Sequence, residues 1–204
     1  NHNTYEVIPL INNPNIKNKY STSNNIVKKI LYVGNLSAAK GIPFLIRAIS
    51  IIKQKGIPVS LTLVGNIQQS FNEIIEYEKL SKDIIITGYL SNPSDIFDLY
   101  KKSDIFIIPT LGEGFPRVIY EAQLSFLPVI ATNIVSIRTN IGNSDSIILV
   151  PPRNPQAIAE AVDKVITDKK LYKKLILNGY NFALKKTTGS TSNQFVQLIN
   201  KHFG

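Results

Sequence analysis

Short continuous apolar runs alternate with longer stretches of helical period along this chain. Lys29-Ile30-Leu31-Tyr32-Val33-Gly34 reads as the first strand, and Val59-Ser60-Leu61-Thr62-Leu63-Val64, closed by Gly65, as the second. Asp83-Ile84-Ile85-Ile86-Thr87 and Asp104-Ile105-Phe106-Ile107-Ile108 read as strands covered on both faces, with Val129-Ile130-Ala131-Thr132 and Ile147-Ile148-Leu149-Val150 as later ones. Between them the apolar positions change period. Phe44, Leu45, Ala48, Ile49 and Ile52 form one helical stripe; Phe71, Ile74, Ile75 and Leu80 form another. Asn92, Pro93 and Asp95 supply a cap, a first-turn proline and a capping acid for a helix carrying Ile96, Leu99 and Tyr100. Val118, Ile119, Glu121, Ala122 and Leu124 recur at helical spacing, a short helix is expected from Ile134 to Ile141, and Ile158, Ala161, Val162, Val165 and Ile166 follow the Asn154-Pro155 start signal. Five or six strands alternating with helices predict a Rossmann-like α/β fold, a parallel sheet with helices on both faces and a ligand at the strand C-terminal ends.

The stretch Leu111 to Thr132 organises the rest. Pro109 and Gly112 break the fourth strand, Gly114 loosens the loop, and Pro116 stands near the first turn of the next helix, where a missing N–H costs nothing. A helix that begins just past a parallel strand directs unpaired N–H groups and about half a positive charge into the crevice there, which favours anions. Glu113 falls in the loop and Glu121 about two turns down the helix. They bracket that anion-favouring end, although a dipole-favoured acid and a solvated helix residue fit the same positions. After the first strand, Gly34-Asn35-Leu36-Ser37-Ala38-Ala39-Lys40-Gly41 is a glycine-bounded loop with one cation. It suits a phosphate cradle, and equally a surface loop with a solvated Lys40.

Composition narrows the chemistry. The 204 residues suffice for one α/β domain with appendages, and 23 Lys and Arg against 14 Asp and Glu give a formal charge of +9. Only four of the cations are Arg, and no aromatic-rich basic motif appears, so a nucleic-acid partner is not expected. With no Cys, thiolate sites and disulfides are excluded. His2 and His202 sit at the ends of the chain, so a histidine triad or zinc site is not expected and no metal is assigned. No apolar run approaches the roughly 20 residues of a membrane span. The chain lacks Met and is read as starting inside a longer protein, with a cytoplasmic location as the default.

The pattern Glu113-Gly114-Phe115-Pro116, with Glu121-Ala122 and then Leu127-Pro128-Val129-Ile130-Ala131-Thr132, resembles the E-x7-E segment of family-4 (group 1) retaining glycosyltransferases. The resemblance covers nearly the whole chain. It implies the C-terminal, donor-binding half of a GT-B fold. The activity implied is hexosyl-type transfer, with retention, from a nucleoside diphosphate sugar to an acceptor hydroxyl, in polysaccharide or glycolipid biosynthesis and without a cofactor.

Further roles follow from the same resemblance. Glu113 and Lys40 would be catalytic, Glu113 facing the donor sugar and Lys40 holding the leaving diphosphate. Glu121 would accept from the ribose hydroxyls. Gly34, Asn35, Gly65, Tyr89, Leu90, Gly114, Phe115, Pro116 and Arg117 would complete the donor site. Relatives place an Arg where this chain has Asn35, which brings no charge and no guanidinium fork. Arg117 opposes the helix dipole unless an anion is near; it is either a surface arginine or a partial replacement for that charge. Of the G-D-G-P that relatives place after the second strand only Gly65 remains, with a turn role first. Tyr89 either stacks on the base or packs at the sheet end.

Residues 1–25 read as a linker from an N-terminal acceptor domain, 26–187 as the nucleotide-sugar-binding domain, and 188–204, with Phe195, Val196, Leu198 and Ile199, as a C-terminal helix. Pro151-Pro152-Arg153-Asn154-Pro155 also matches a turn found in relatives. From Lys164 to Lys186, seven lysines accompany one acid, Asp168. They form a solvated helix face or one that meets an anionic membrane surface, which would make the protein membrane-peripheral. A dinucleotide-binding oxidoreductase is disfavoured, because Gly34-Asn35-Leu36-Ser37 does not supply G-x-G-x-x-G. A noncatalytic sugar-nucleotide-binding module stays open, since Asn35 is neutral.

Overall fold

The structure, a computed structural model, describes residues 27–68, 71–114, 116–141 and 145–186. The expected linker at 1–25, the terminal helix at 188–204 and Phe115 lie outside the described residues. Six strands form one sheet: β1 (Lys28–Val33), β2 (Val59–Val64), β3 (Ile84–Gly88), β4 (Ile105–Ile108), β5 (Val129–Thr132) and β6 (Ile148–Val150). Their order is β3-β2-β1-β4-β5-β6, and every neighbouring pair is parallel. The helices between them are α1 (Ile42–Gln54), α2 (Asn72–Tyr77), α3 (Pro93–Lys102), α4 (Arg117–Leu124), α5 (Val135–Ile141), α6 (Pro155–Thr167) and α7 (Lys169–Lys186).

Strand alternation divides the core between the two faces of the sheet. Ile30, Tyr32, Leu61, Leu63, Ile105, Ile107 and Ile130 pack on one face with Leu45, Ile49 and Ile52 of α1 and Ile158, Val162 and Val165 of α6. Leu31, Val64, Phe106, Ile108, Val129 and Ala131 point the other way, onto Phe97 and Tyr100 of α3, Ile119 of α4 and Ile137 of α5. The helix α7 joins the two halves, with Tyr172, Leu175 and Ile176 in the first cluster and Ala183 in the second. Asp104, buried ahead of β4, accepts from the Lys29 backbone N–H at 2.8 Å and so fixes the register of the two central strands.

Local signals placed the helix starts. Asn92 accepts from the Ser94 N–H at 3.1 Å ahead of α3, and Asn154 from the Ala157 N–H at 2.9 Å ahead of α6, each followed by a proline in the first turn. One strand departs from expectation. The run Asp83 to Thr87 reads as buried on both faces, yet β3 is an edge strand and Ile85 is 58% exposed. A run of isoleucines carries no sign of where its strand ends up in the sheet order. The helix expected through Leu80 is also shorter, because α2 stops at Tyr77 and Lys79 takes a left-handed φ of 55°, though Phe71, Ile75 and Leu80 all pack into the first cluster.

Candidate functional site

Parallel strands β1 and β4 are neighbours whose following helices, α1 and α4, cover opposite faces of the sheet. The chain therefore leaves these two strands in opposite directions, and their C-terminal ends part to leave a crevice. A cleft of about 260 Å³ lies there, lined by Tyr32, Val33, Gly34 and Asn35 from the end of β1, Lys40 from its loop, and Ile108, Glu113, Pro116, Arg117 and Val118 from β4 to α4.

Two loops form its walls, and they are laced together. A short 3-10 turn, Ala38–Lys40, capped by Ser37, brings Lys40 to the inner side, and Gly41 then turns the chain into α1 at φ 74°. A Cβ on Gly41 would lie 2.0 Å from the Pro109 carbonyl oxygen, so the β1 loop passes against the end of β4 at backbone contact. The Leu111 N–H donates to the Ala39 carbonyl at 3.0 Å across the same junction. On the β4 side the Thr110 hydroxyl donates to the Gly112 carbonyl at 2.7 Å and accepts from the Gly112 N–H at 3.3 Å, and the Thr132 hydroxyl donates to the Thr110 carbonyl. These bonds fix a turn that carries Glu113.

The result is an ion pair at the crevice. Lys40 Nζ donates to Glu113 Oε2 at 2.7 Å and to the Gly112 carbonyl at 3.2 Å, with both side chains about a quarter exposed. The two residues are 73 positions apart in sequence, so only the crossing of the loops explains the contact. Charged pairs this accessible to water contribute about 1 kcal/mol or less to stability. Their value is in position.

Beneath Gly34 lies Tyr32, 2% exposed, whose hydroxyl donates to the Asn35 carbonyl at 2.8 Å. A Cβ on Gly34 would meet that hydroxyl at 2.8 Å, and the φ of 149° already favours glycine. Burial first, and then the negative charge of Glu113, push the Tyr32 hydroxyl well above the ordinary phenol range, so it stays a neutral donor. The sequence reading did not select Tyr32. Its one signal was phase: it shares a face with Ile30 and is the last inward residue before the glycine.

Of the residues expected at the site, Gly34, Asn35, Lys40, Glu113, Pro116 and Arg117 line this one cleft. Gly65 stands behind it, where a Cβ would fall 2.0 Å from the Gly34 carbonyl oxygen, so its place is a turn that lets two strand ends approach. Among the described residues, nothing lies within 4 Å of a Cβ added at Gly114. Tyr89, 68% exposed, and Leu90, partly buried, follow β3 and are not among the cleft-lining residues.

Glu121 is also not among those lining residues; it sits one turn along α4 from Arg117. The buried Tyr100 hydroxyl donates to its Oε2 at 3.1 Å. Burial raises the Glu121 pKa above the usual 4.5, while that hydrogen bond and the charge of Arg117 pull it down. An ionised carboxylate has about four acceptor positions, so Tyr100 leaves capacity for further donors. Among the described residues no three His, Asp or Glu side chains converge as a metal site would require.

Comparison with known proteins gives the family and the fold. The sequence pattern of the family described as Glycosyl transferases group 1 matches residues 15–182. The capsular polysaccharide biosynthesis glycosyltransferase CapM of Staphylococcus aureus is 31% identical over 173 residues, 83% of this chain but 44% of that protein. The chain thus spans less than half the length of the relatives it matches. Among solved structures, the C-terminal domain of the group 1 glycosyl transferase LpcC from Francisella tularensis superposes with a TM-score of 0.70 at 25% identity, covering 85% of this chain and 91% of that one. Anabaena Alr3699/HepE, solved in complex with UDP-glucose, shares the fold at a TM-score of 0.69 and 23% identity, over 93% of this chain and 51% of its own. With a parallel sheet ordered β3-β2-β1-β4-β5-β6, a cleft at its switch point and a family match over most of its length, this chain belongs to the group 1 glycosyltransferases and has the Rossmann-like fold of their GT-B neighbours.

Proposed function

We propose that this chain is the donor-binding part of a retaining glycosyltransferase, and that the cleft between β1 and β4 receives the diphosphate of a nucleoside diphosphate sugar. The observation that carries the reading is the Lys40–Glu113 pair, held at 2.7 Å across the two loops and beside open space. A cation next to a helix start suits a diphosphate leaving group, and a carboxylate next to it suits the sugar whose anomeric carbon gains positive charge. In the reaction the bond from the anomeric carbon to the diphosphate oxygen breaks, and its electron pair leaves with the diphosphate. The acceptor oxygen bonds to the same face of that carbon, and its proton passes to the departing phosphate oxygen. Lys40 neutralises the leaving charge, Glu113 orients sugar hydroxyls, and Glu121 accepts from the ribose. The peptide group after Gly34 can approach the phosphates because no side chain stands in the way.

The acceptor and its binding half belong to the part of the relatives that this chain does not span, so the chain alone binds donor without transferring it. Calorimetric titration with UDP, ADP and GDP, beside uridine, adenosine and guanosine, tests the reading. Micromolar to millimolar binding of at least one diphosphate, tighter than its nucleoside and weakened about ten-fold or more by Lys40→Ala, is expected. No diphosphate binding, or binding indifferent to Lys40, would overturn it. A second reading, a noncatalytic sugar-nucleotide-binding module, draws on the neutral Asn35 at the cleft rim. Donor binding without transfer in a longer chain carrying an acceptor half would favour it.

A further inference from the structure

Among the described residues, the charges that line the cleft are three: Lys40, Glu113 and Arg117. Two of them cancel, since Lys40 Nζ lies 2.7 Å from Glu113 Oε2 and gives a further hydrogen bond to the Gly112 carbonyl. The net positive charge of the cleft therefore resides on Arg117. From this we infer that Arg117, acting beside Lys40, supplies the added charge that helps tell a nucleoside diphosphate from its nucleoside, a specificity role resting on the proposed donor site.

Three further features support the assignment. Arg117 is the first residue of α4, a position where the unpaired N–H groups already concentrate positive charge and where a cation is unfavourable unless an anion offsets it. No acidic residue occupies the first turn of α4 to do so. Its side chain is exposed at the cleft; Glu121, one turn on, feels its charge and also accepts from the Tyr100 hydroxyl, but the five guanidinium donors leave Arg117 capacity for a ligand. A diphosphate entering the cleft would meet the guanidinium and the helix N–H groups together, and the planar fork of arginine can grip two phosphate oxygens at once.

Across the cleft, Asn35 can offer an amide but no charge. Its backbone is tied down by Tyr32, whose hydroxyl bonds its carbonyl at 2.8 Å, and the adjacent Gly34 leaves no room for a side chain. The rim at Gly34 and Asn35 is thus shaped for close approach of phosphate, while Lys40 and, from the α4 side, Arg117 supply the charge.

The test uses the best-binding nucleoside diphosphate among UDP, ADP and GDP, with its nucleoside as reference. Arg117→Ala is expected to weaken the diphosphate about ten-fold, to leave the nucleoside unchanged and to flatten the dependence of diphosphate affinity on salt. Arg117→Lys should recover only part of the loss, because a lysine lacks the fork. The double variant Asn35→Arg/Arg117→Ala, which moves the charge across the cleft, should recover most of it. A thermal midpoint for Arg117→Ala equal to or slightly above wild type is expected, since the side chain is exposed at a helix end that disfavours cations. Equal diphosphate affinity for wild type and Arg117→Ala would overturn the inference while leaving the donor site standing. Equal losses for diphosphate and nucleoside would also overturn it. Failure of the wild type to bind any diphosphate would instead remove the donor-site reading beneath it.

Discussion

At the scale of single residues the most informative is Glu121, because its environment and its expected task conflict. Burial favours the protonated acid, whereas gripping ribose hydroxyls requires the ionised, acceptor-only form. Its folded-state pKa is raised above the ordinary 4.5, so the folded protein holds this proton more tightly than the unfolded chain does. The sign follows from linkage: the Glu121 contribution to stability is fully present below about 4.5 and is lost as pH rises through the raised folded value. Glu121→Gln keeps the shape and an oxygen to accept from Tyr100 but removes the charge. The variant is expected to melt at a higher temperature than wild type at pH 7.5, with the gap closing as pH falls toward 4. A gap that stays constant with pH would show that Glu121 is not strained by ionisation. Residues of this kind were only half legible. Sequence spacing put Glu121 two turns below Glu113, but nothing in the spacing announced Tyr100, 21 positions earlier, as the group that holds it. Tyr32 was missed for a similar reason: a tyrosine inside an apolar strand looks like core, and its hydroxyl gains meaning only once the chain has folded back over Gly34.

At the scale of elements the site depends on two loops meeting, and Gly41 sets the distance between them. Alanine there would combine a left-handed backbone with a Cβ 2.0 Å from the Pro109 carbonyl oxygen, a backbone atom that cannot swing aside. We expect Gly41→Ala to lose roughly 3 kcal/mol, a fall in Tm of about 6–12 °C for a chain of this size. Gly56 is the control. It has nearly the same φ, 76° against 74°, but nothing within 4 Å of an added Cβ, so Gly56→Ala should lose only the backbone part, about 1–2 kcal/mol. Equal losses at the two positions, measured by urea or thermal unfolding, would mean that the loops can part without penalty. The strand and helix starts were readable because they rest on local chemistry: the Asn92-Pro93 and Asn154-Pro155 caps and the period change at each glycine. Sheet order is not local. The isoleucine run of β3 has the composition of a central strand, and its edge position follows from the β2–β3 crossover, which the run itself does not encode.

For the whole molecule the question is where its excess positive charge lies. Lys169, Lys170, Lys173, Lys174 and Lys185 of α7 are exposed and, at 3.6 residues per turn, fall within an arc of about 160°. The opposite side of the helix packs Tyr172, Leu175 and Ile176 into the core. Asp145 pairs with Lys174 of this face at 2.6 Å, and Asp168 accepts from the first N–H groups of α7. The helix runs about 27 Å along the surface at 1.5 Å per residue, and none of the described helices is long and apolar enough to cross a membrane. A face of this kind can hold the protein against a bilayer by charge alone, at about 1 kcal/mol for each lysine near an anionic surface. The expected result is cosedimentation with vesicles containing anionic lipid, none with neutral phosphatidylcholine, and release near 1 M salt, where the screening length falls to about 3 Å. The paired variant Lys169→Glu/Lys170→Glu changes the charge by four units, and because acids are favoured at a helix start it should leave the fold intact. Binding that survives this reversal, or that persists on neutral vesicles, would mean that α7 is a solvated surface and that any membrane contact is made elsewhere.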